Sequence, residues 1–290
     1  MRSSDTAPHE PALTAEGSPR TKPFLKWAGG KSKLLGELIP RMPKKYGRYV
    51  EPMLGGGAMF FAARPAKSML LDVNPELINC YRVVQNNVEE LIEDLAQHRY
   101  ERRYYYRLRD ADRSFDFLRW SAVARASRMI YLNKSCFNGL YRVNSRGNFN
   151  VPFGRYTNPT LVAPEALRAC SRALKGASLR CGSFDILPKY LAEGDFVYFD
   201  PPYVPLSKTA SFATYSKDGF GLDDQVRLKE LCVALDKRGI KFMLSNSYTD
   251  TVLELYDSFT IDTIEAPRAI SSKGTGRHSV KEVIVRNYSR

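Results

Sequence analysis

Short apolar runs alternate with helix-like periodicity over most of the chain. Tyr49-Val50-Glu51 closes a first run, and the turn Leu54-Gly55-Gly56-Gly57 follows it. An apolar helix is predicted over Ala58 to Ala63, and a second run, Ser68-Met69-Leu70-Leu71, ends at Asp72. Strand, glycine turn, helix, strand and acid together open a doubly wound α/β sheet. A short helix is predicted just upstream, over Lys33 to Ile39. The same rhythm returns late in the chain. A strand runs through Leu179 to Cys181, and a buried one, Phe196-Val197-Tyr198-Phe199, stops at Asp200-Pro201-Pro202-Tyr203. Leu228, Leu231, Cys232 and Leu235 share one face of a predicted helix over Leu222 to Lys237, with Gly239 as its stop. Lys241 to Ser245 and Val280 to Val285 read as strands, and Ser271 to Gly276 between them as a mobile loop.

The middle of the chain has another character. From Glu76 to Asn133 the pattern is helical and rich in Arg and Tyr. Tyr104, Tyr105 and Tyr106 in it are expected to be half core and half helix surface. Aromatic and β-branched residues then flank Asn144-Ser145-Arg146-Gly147, which predicts a hairpin over Phe137 to Pro152 with a glycine turn. The middle therefore reads as an insertion, 76–158, in an α/β domain formed by 22–75 and 159–290. Residues 1–21 are rich in Ser, Thr, Pro, Glu and Ala and are expected to form a disordered tail.

Charge adds the first functional hint. Lys and Arg number 44 against 31 Asp and Glu, a net charge of +13, which suits a polyanionic partner. No apolar run is long enough to span a bilayer, and no basic amphipathic helix points to a membrane. The five cysteines lie far apart, without zinc spacing, and read as reduced cytosolic thiols.

Three stretches carry chemistry. Phe24-Leu25-Lys26-Trp27-Ala28-Gly29-Gly30-Lys31-Ser32 ends like a phosphate-binding loop, but Leu25 stands where that loop needs its first glycine. Glu51-Pro52-Met53-Leu54-Gly55-Gly56-Gly57 with Asp72 brings backbone close to a ligand and sets an acid to take ribose hydroxyls. Its glycine order is not the dinucleotide fingerprint. Asp200-Pro201-Pro202-Tyr203 makes an acceptor-rich corner at a strand end. The carboxylate and the Pro201 carbonyl can accept the two hydrogens of a planar amine, and Tyr203 can stack on its ring.

FLKWAGGK, EPMLGGG, LDVN, NGLYRVNSRGNFNVPFGRY and YFDPPYVPLS, in this order, resemble the Dam-type (D12 class, alpha group) DNA adenine-N6 methyltransferases. The similarity is greatest to GATC-modifying enzymes of restriction systems and runs from about Pro23 to Tyr288. It implies a Rossmann-like catalytic domain, S-adenosylmethionine as methyl donor, no metal, and double-stranded DNA as substrate. The donor site it implies comprises Trp27, Lys31, Glu51, Pro52, Gly55, Gly57, Asp72, Phe184 and Asp200. The catalytic motif is Asp200, Pro201, Pro202 and Tyr203. The DNA contacts are Lys26, Phe137, Asn138, Leu140, Arg142 and Pro152, with Arg142 reading a guanine and Phe137 entering the helix near the target.

The resemblance also implies action on a flipped-out adenine, without a covalent intermediate. A monomer and a cytoplasmic location are expected. A solitary role and a role beside a cognate restriction endonuclease both remain open. So do another guanine-containing target, RNA or protein glutamine as substrate, and a non-catalytic DNA-binding protein that senses the donor.

Overall fold

The structure is a computed structural model, and it describes residues 21–204, 220–266 and 280–289. The expected tail and the loop 271–276 lie outside the described residues, apart from Thr21.

The chain opens with a helical turn, α1 (Leu35–Leu38), flanked by 3-10 turns. Strand β1 (Arg48–Glu51) leads through the glycine turn to α2 (Ala58–Ala63) and β2 (Ser68–Asp72). Four helices follow: α3 (Pro75–Asn86), α4 (Val88–Ala96), α5 (Arg102–Arg109) and α6 (Ala122–Ser135). Then come α7 (Pro164–Leu174), β3 (Ala177–Cys181) and β4 (Asp195–Phe199). The last elements are α8 (Leu222–Lys237), β5 (Lys241–Ser247), α9 (Asp250–Leu255), β6 (Thr260–Ala266) and β7 (Val280–Arg286).

The seven strands form one mixed sheet in the order β3-β2-β1-β4-β5-β7-β6, a Rossmann-like α/β architecture. All neighbours pair in parallel except β7, which is antiparallel to β5 and β6. The chain winds outward from β1 through β2 to β3, then returns to place β4 on the other side of β1. The strand order therefore reverses between β1 and β4, and a crevice opens there beyond their C-terminal ends. Glu51 and Asp200 sit at those two ends.

Alternation along each strand divides the core. Phe196 and Tyr198 face one side with Tyr49, Leu70, Met243 and Ile284. Val197 and Phe199 face the other with Val50, Leu71, Leu244 and Val285, under Leu228, Leu231 and Cys232 of α8. Both faces are covered, so β4 is a continuous apolar run. The middle helices share the first core: Tyr81 and Val84 of α3, Leu91 and Leu95 of α4 and Ile130 of α6 belong to it. Helix α3 also borders the sheet, where Gln85 donates to the carbonyls of Leu174 and Ala177.

Two local outcomes differ from the sequence pattern. The expected hairpin forms only isolated antiparallel bridges, Cys136 with Phe153 and Val143 with Phe149. The Asn144 side chain takes the N–H groups of Arg146 and Asn148, and Pro152 has no N–H to give, so the ladder cannot extend. Elements α7, α9 and β6 are additional to the predicted ones. In β6, Thr260-Ile261-Asp262-Thr263-Ile264-Glu265 is too polar to read as a strand, because it lies at the sheet edge.

Candidate active site

The crevice holds a cavity of about 690 Å³, whose lining includes Trp27, Glu51, Asp72, Phe184, Asp200 and Tyr203. It draws together the three stretches singled out in the sequence.

Its first wall is the glycine turn. Gly55 has φ +47°, and a Cβ there would lie 2.7 Å from Cδ1 of Trp27. A Cβ on Gly57, at φ +67°, would meet the Tyr81 hydroxyl at the same distance. Only glycine lets the indole and the phenol come this close. The Tyr81 hydroxyl donates to the Gly55 carbonyl (3.0 Å), and Gly55 N–H donates to Oδ2 of Asp72 (2.9 Å). The other Asp72 oxygen accepts from the Asn74 N–H at 2.9 Å. Asp72 thus ties the turn to the end of β2. Burial pushes its carboxyl upward, and backbone N–H groups oppose this. Trp27 stacks on Tyr141 at 5.1 Å and 21°, which fixes the indole between turn and hairpin.

The second wall is the Asp-Pro-Pro-Tyr corner. Lys31, 6% exposed, places its ammonium 2.7 Å from the Asp200 carboxylate. The same Nζ donates to the Gly29 carbonyl (2.7 Å) and lies 4.5 Å from the Tyr203 ring centre. GGKS therefore presents its lysine to a carboxylate. Burial raises the Asp200 pKa and the Lys31 charge lowers it, with burial the larger effect. Glu51 is buried nearby and accepts from the Tyr49 hydroxyl at 2.7 Å. Burial is the main cause that pushes its carboxyl up to about 8.

Several residues of the corner escaped the sequence pattern. Gln225 donates to the Pro202 carbonyl (2.9 Å) and accepts from Asn246 (3.1 Å). Ser247 donates to the Val204 carbonyl (2.7 Å), and the Tyr203 hydroxyl donates to Glu282 (2.6 Å). Pro201 differs: its carbonyl accepts no hydrogen bond from any described residue.

The third side faces the hairpin. Asn133 of α6 accepts from the Lys26 N–H (2.9 Å) and donates to the carbonyls of Lys26 (2.8 Å) and Gly139 (2.9 Å). This joins the FLKW stretch to Asn138 and Leu140, which line the same cavity. Phe137 is 50% exposed, and its N–H donates to the Pro152 carbonyl. Lys26 and Arg142 are exposed, and Asn150 holds Arg142 through Nε at 2.7 Å. Tyr105 is buried while Tyr104 and Tyr106 are partly exposed, as predicted. Cys80, Cys136, Cys170 and Cys232 are buried free thiols and Cys181 is exposed. Among the described residues no cluster of His, Cys, Asp or Glu could hold a metal ion. No described helix is long and apolar enough to cross a membrane.

The three stretches thus meet in one cavity at the switch point of an α/β sheet. Residues 27–270 match the model of the D12 class N6 adenine-specific DNA methyltransferases, and the chain belongs to that family. It is 46% identical over 271 residues to the Type II methyltransferase M1.LlaDCHI of Lactococcus lactis subsp. cremoris, covering 92% of this chain and 95% of that protein. Identity to the Type II methyltransferase M.MjaIII of Methanocaldococcus jannaschii is 44% over 287 residues, covering 92% and 99%. The DNA adenine methylase of Escherichia coli K12 is 34% identical over 270 residues, covering 91% and 95%. The chain is an adenine-specific DNA methyltransferase.

Proposed function

We propose that the protein methylates N6 of a flipped-out adenine in duplex DNA, in the sequence GATC, with S-adenosylmethionine as donor. The observation that carries the reading is the pairing, in the cavity lining, of the Asp200 carboxylate with a Pro201 carbonyl that accepts from no described residue. The N6 lone pair is delocalised into the ring. Two acceptors on its hydrogens draw the nitrogen toward tetrahedral geometry and free that lone pair. Positive charge grows on nitrogen during transfer, so an ionised Asp200 stabilises the transition state more than the ground state. Tyr203 offers its face to the base, and its bond to Glu282 fixes the ring.

The residues of the cavity fit the donor. The glycine turn brings backbone and the Trp27 indole to the cavity wall, Asp72 offers acceptors for ribose hydroxyls, and Phe184 is an apolar face for adenine. Trp27, Lys31, Glu51, Pro52, Gly55 and Gly57 complete the set. When bound, S-adenosylmethionine supplies an electrophilic methyl group. Lys31 serves Asp200 in this reading.

The region 76–158 is read as the target-recognition insertion. Lys26, Phe137, Asn138, Leu140, Arg142 and Pro152 form the DNA side, with Arg142 on a guanine and Phe137 filling the gap beside the extruded base. GATC rests on the resemblance of the hairpin to GATC-modifying enzymes. A monomer suffices for this site, and the likeness to Type II methyltransferases favours a role beside a cognate endonuclease.

The test is digestion of plasmid from cells that lack other adenine methylation and express this protein. Resistance to an endonuclease that cuts only unmethylated GATC, with cutting by one that needs methylated GATC, supports the target. The reverse pattern with well-expressed protein removes it.

A further inference from the structure

Gln225, Asn246 and Ser247 are polar residues at 2%, 0% and 4% exposure, on α8 and β5, where apolar packing would be the ordinary choice. Their bonds converge on the segment after Asp200. Gln225 Nε2 donates to the Pro202 carbonyl, and its Oε1 accepts from Asn246 Nδ2. Asn246 Oδ1 accepts from the N–H groups of Val204 (3.3 Å) and Ser247 (2.8 Å). Ser247 Oγ donates to the Val204 carbonyl. The relay is closed and buried, which makes each member depend on the others.

We propose that Gln225 is a positioning residue for methyl transfer, holding the Pro201 carbonyl in its acceptor orientation through this relay. The proposal rests on the reading of Asp200 and Pro201 as the two acceptors of the adenine amine.

Backbone freedom supplies the reason. The rings of Pro201 and Pro202 fix both φ angles near −65°. A following proline keeps Asp200 and Pro201 out of the helical region. The soft dihedrals left are the ψ angles of the two prolines. The Gln225 bond to the Pro202 carbonyl fixes the second of these, and the Val204 contacts anchor the far end. Reorienting the Pro201 carbonyl in the cavity lining then requires breaking a buried bond. Gln225 also occupies the Pro202 carbonyl, whereas the Pro201 carbonyl accepts from no described residue. Asp224 and Arg227, on the same turn of α8, line the cavity. The relay therefore sets the corner against the wall that carries Phe184.

The decisive comparison uses the full-length enzyme, S-adenosylmethionine and a GATC duplex, with single-turnover methylation, donor KM and DNA Kd measured separately. Gln225→Leu is expected to lower the single-turnover rate by on the order of ten- to a hundredfold, the scale of a misplacement near 1 Å. Donor KM and DNA Kd should stay within about threefold, as for an interaction made in the transition state.

Gln225→Glu keeps the shape and covers the case in which the leucine variant does not fold. A buried glutamic acid ionises at raised pH, and only its protonated form can donate to the Pro202 carbonyl. Its rate relative to wild type should fall as pH rises from about 6 to about 9. Taking the ratio cancels the titration of Asp200.

A Gln225→Leu rate within about twofold of wild type overturns the proposal, as does a loss confined to donor KM or DNA Kd. A pH-independent ratio for Gln225→Glu overturns it too. Asp200→Ala in the same assay separates the two levels. Retained methylation there removes the acceptor reading itself, whereas an unaffected Gln225→Leu removes only the positioning role.

Discussion

The Lys31 ammonium and the Asp200 carboxylate form an ion pair of 2.7 Å in the wall of the cavity, joining the first motif of the chain to one 169 positions later (200 − 31). A lysine from a GGKS turn thus serves as counter-charge to a buried acid. Burial favours the protonated acid, and Lys31 opposes it.

Lys31→Met keeps most of the side-chain volume and removes the charge. Asp200 should then ionise only at higher pH. The acid limb of kcat/KM is expected to move up by about one unit or more, the usual scale for a close opposite charge. A pH–rate profile of the two proteins checks this, and a limb that stays in place or moves down contradicts it.

Gly55→Ala should act on the donor side. The added Cβ would lie 2.7 Å from Trp27 Cδ1 at a φ of +47°, and the indole is already stacked on Tyr141. A left-handed alanine alone costs roughly 1–2 kcal/mol. That strain lowers the stability of the fold, and displacement of the Trp27 ring should weaken donor binding, with DNA affinity less changed. Calorimetric titration with S-adenosylhomocysteine, beside a DNA-binding isotherm, reads both.

Arg142 is anchored by Asn150, through Nε to Oδ1 at 2.7 Å and through one outer nitrogen to the carbonyl at 3.4 Å, which holds the exposed guanidinium at the end of the hairpin. Arg142→Ala should reduce discrimination at one guanine by about 1–3 kcal/mol. Comparing kcat/KM on duplexes substituted at each guanine in turn should show one position relaxed. Equal losses on every duplex would mark a phosphate contact instead.

Glu51 makes a prediction about stability. Its carboxyl is held up to about 8 in the fold against an ordinary 4.5. The folded protein keeps it neutral where the unfolded chain ionises it. Stability from this group is full below about 4.5, falls as pH rises, and is lost once pH passes about 8. The whole effect is at most about 5 kcal/mol. Glu51→Gln should therefore match wild type near pH 4.5 and exceed it in urea unfolding at pH 9. An equal difference at both pH values contradicts the assignment.

The parts of the site that were legible in sequence carry their signal locally. Phe196 to Phe199 is apolar because both sheet faces are covered, and a proline pair after its acid can only be a turn. Glycines at 55 and 57 mark close approach, and the approaching groups are Trp27 and Tyr81. The relay was not legible in this way. Gln225 falls on the face of α8 that carries Leu228 and Cys232, and Asn246 continues an apolar strand. A polar residue on an apolar stripe was the available signal, but its partners lie on other elements. Tyr141 behaves similarly. Nothing beside it in the chain announces that it stacks on Trp27, since that contact depends on Asn133 joining Lys26 to Gly139. The hairpin ladder is shorter than its β-propensity implies because the Asn144 side chain satisfies the turn locally.

The most direct measurement is transfer of labelled methyl from S-adenosylmethionine to a GATC duplex by wild type and Asp200→Ala, with DNA binding measured on the same samples. The account predicts methyl-N6-adenine with wild type, none with Asp200→Ala, and similar DNA affinity for both. Methylation retained by Asp200→Ala would contradict it.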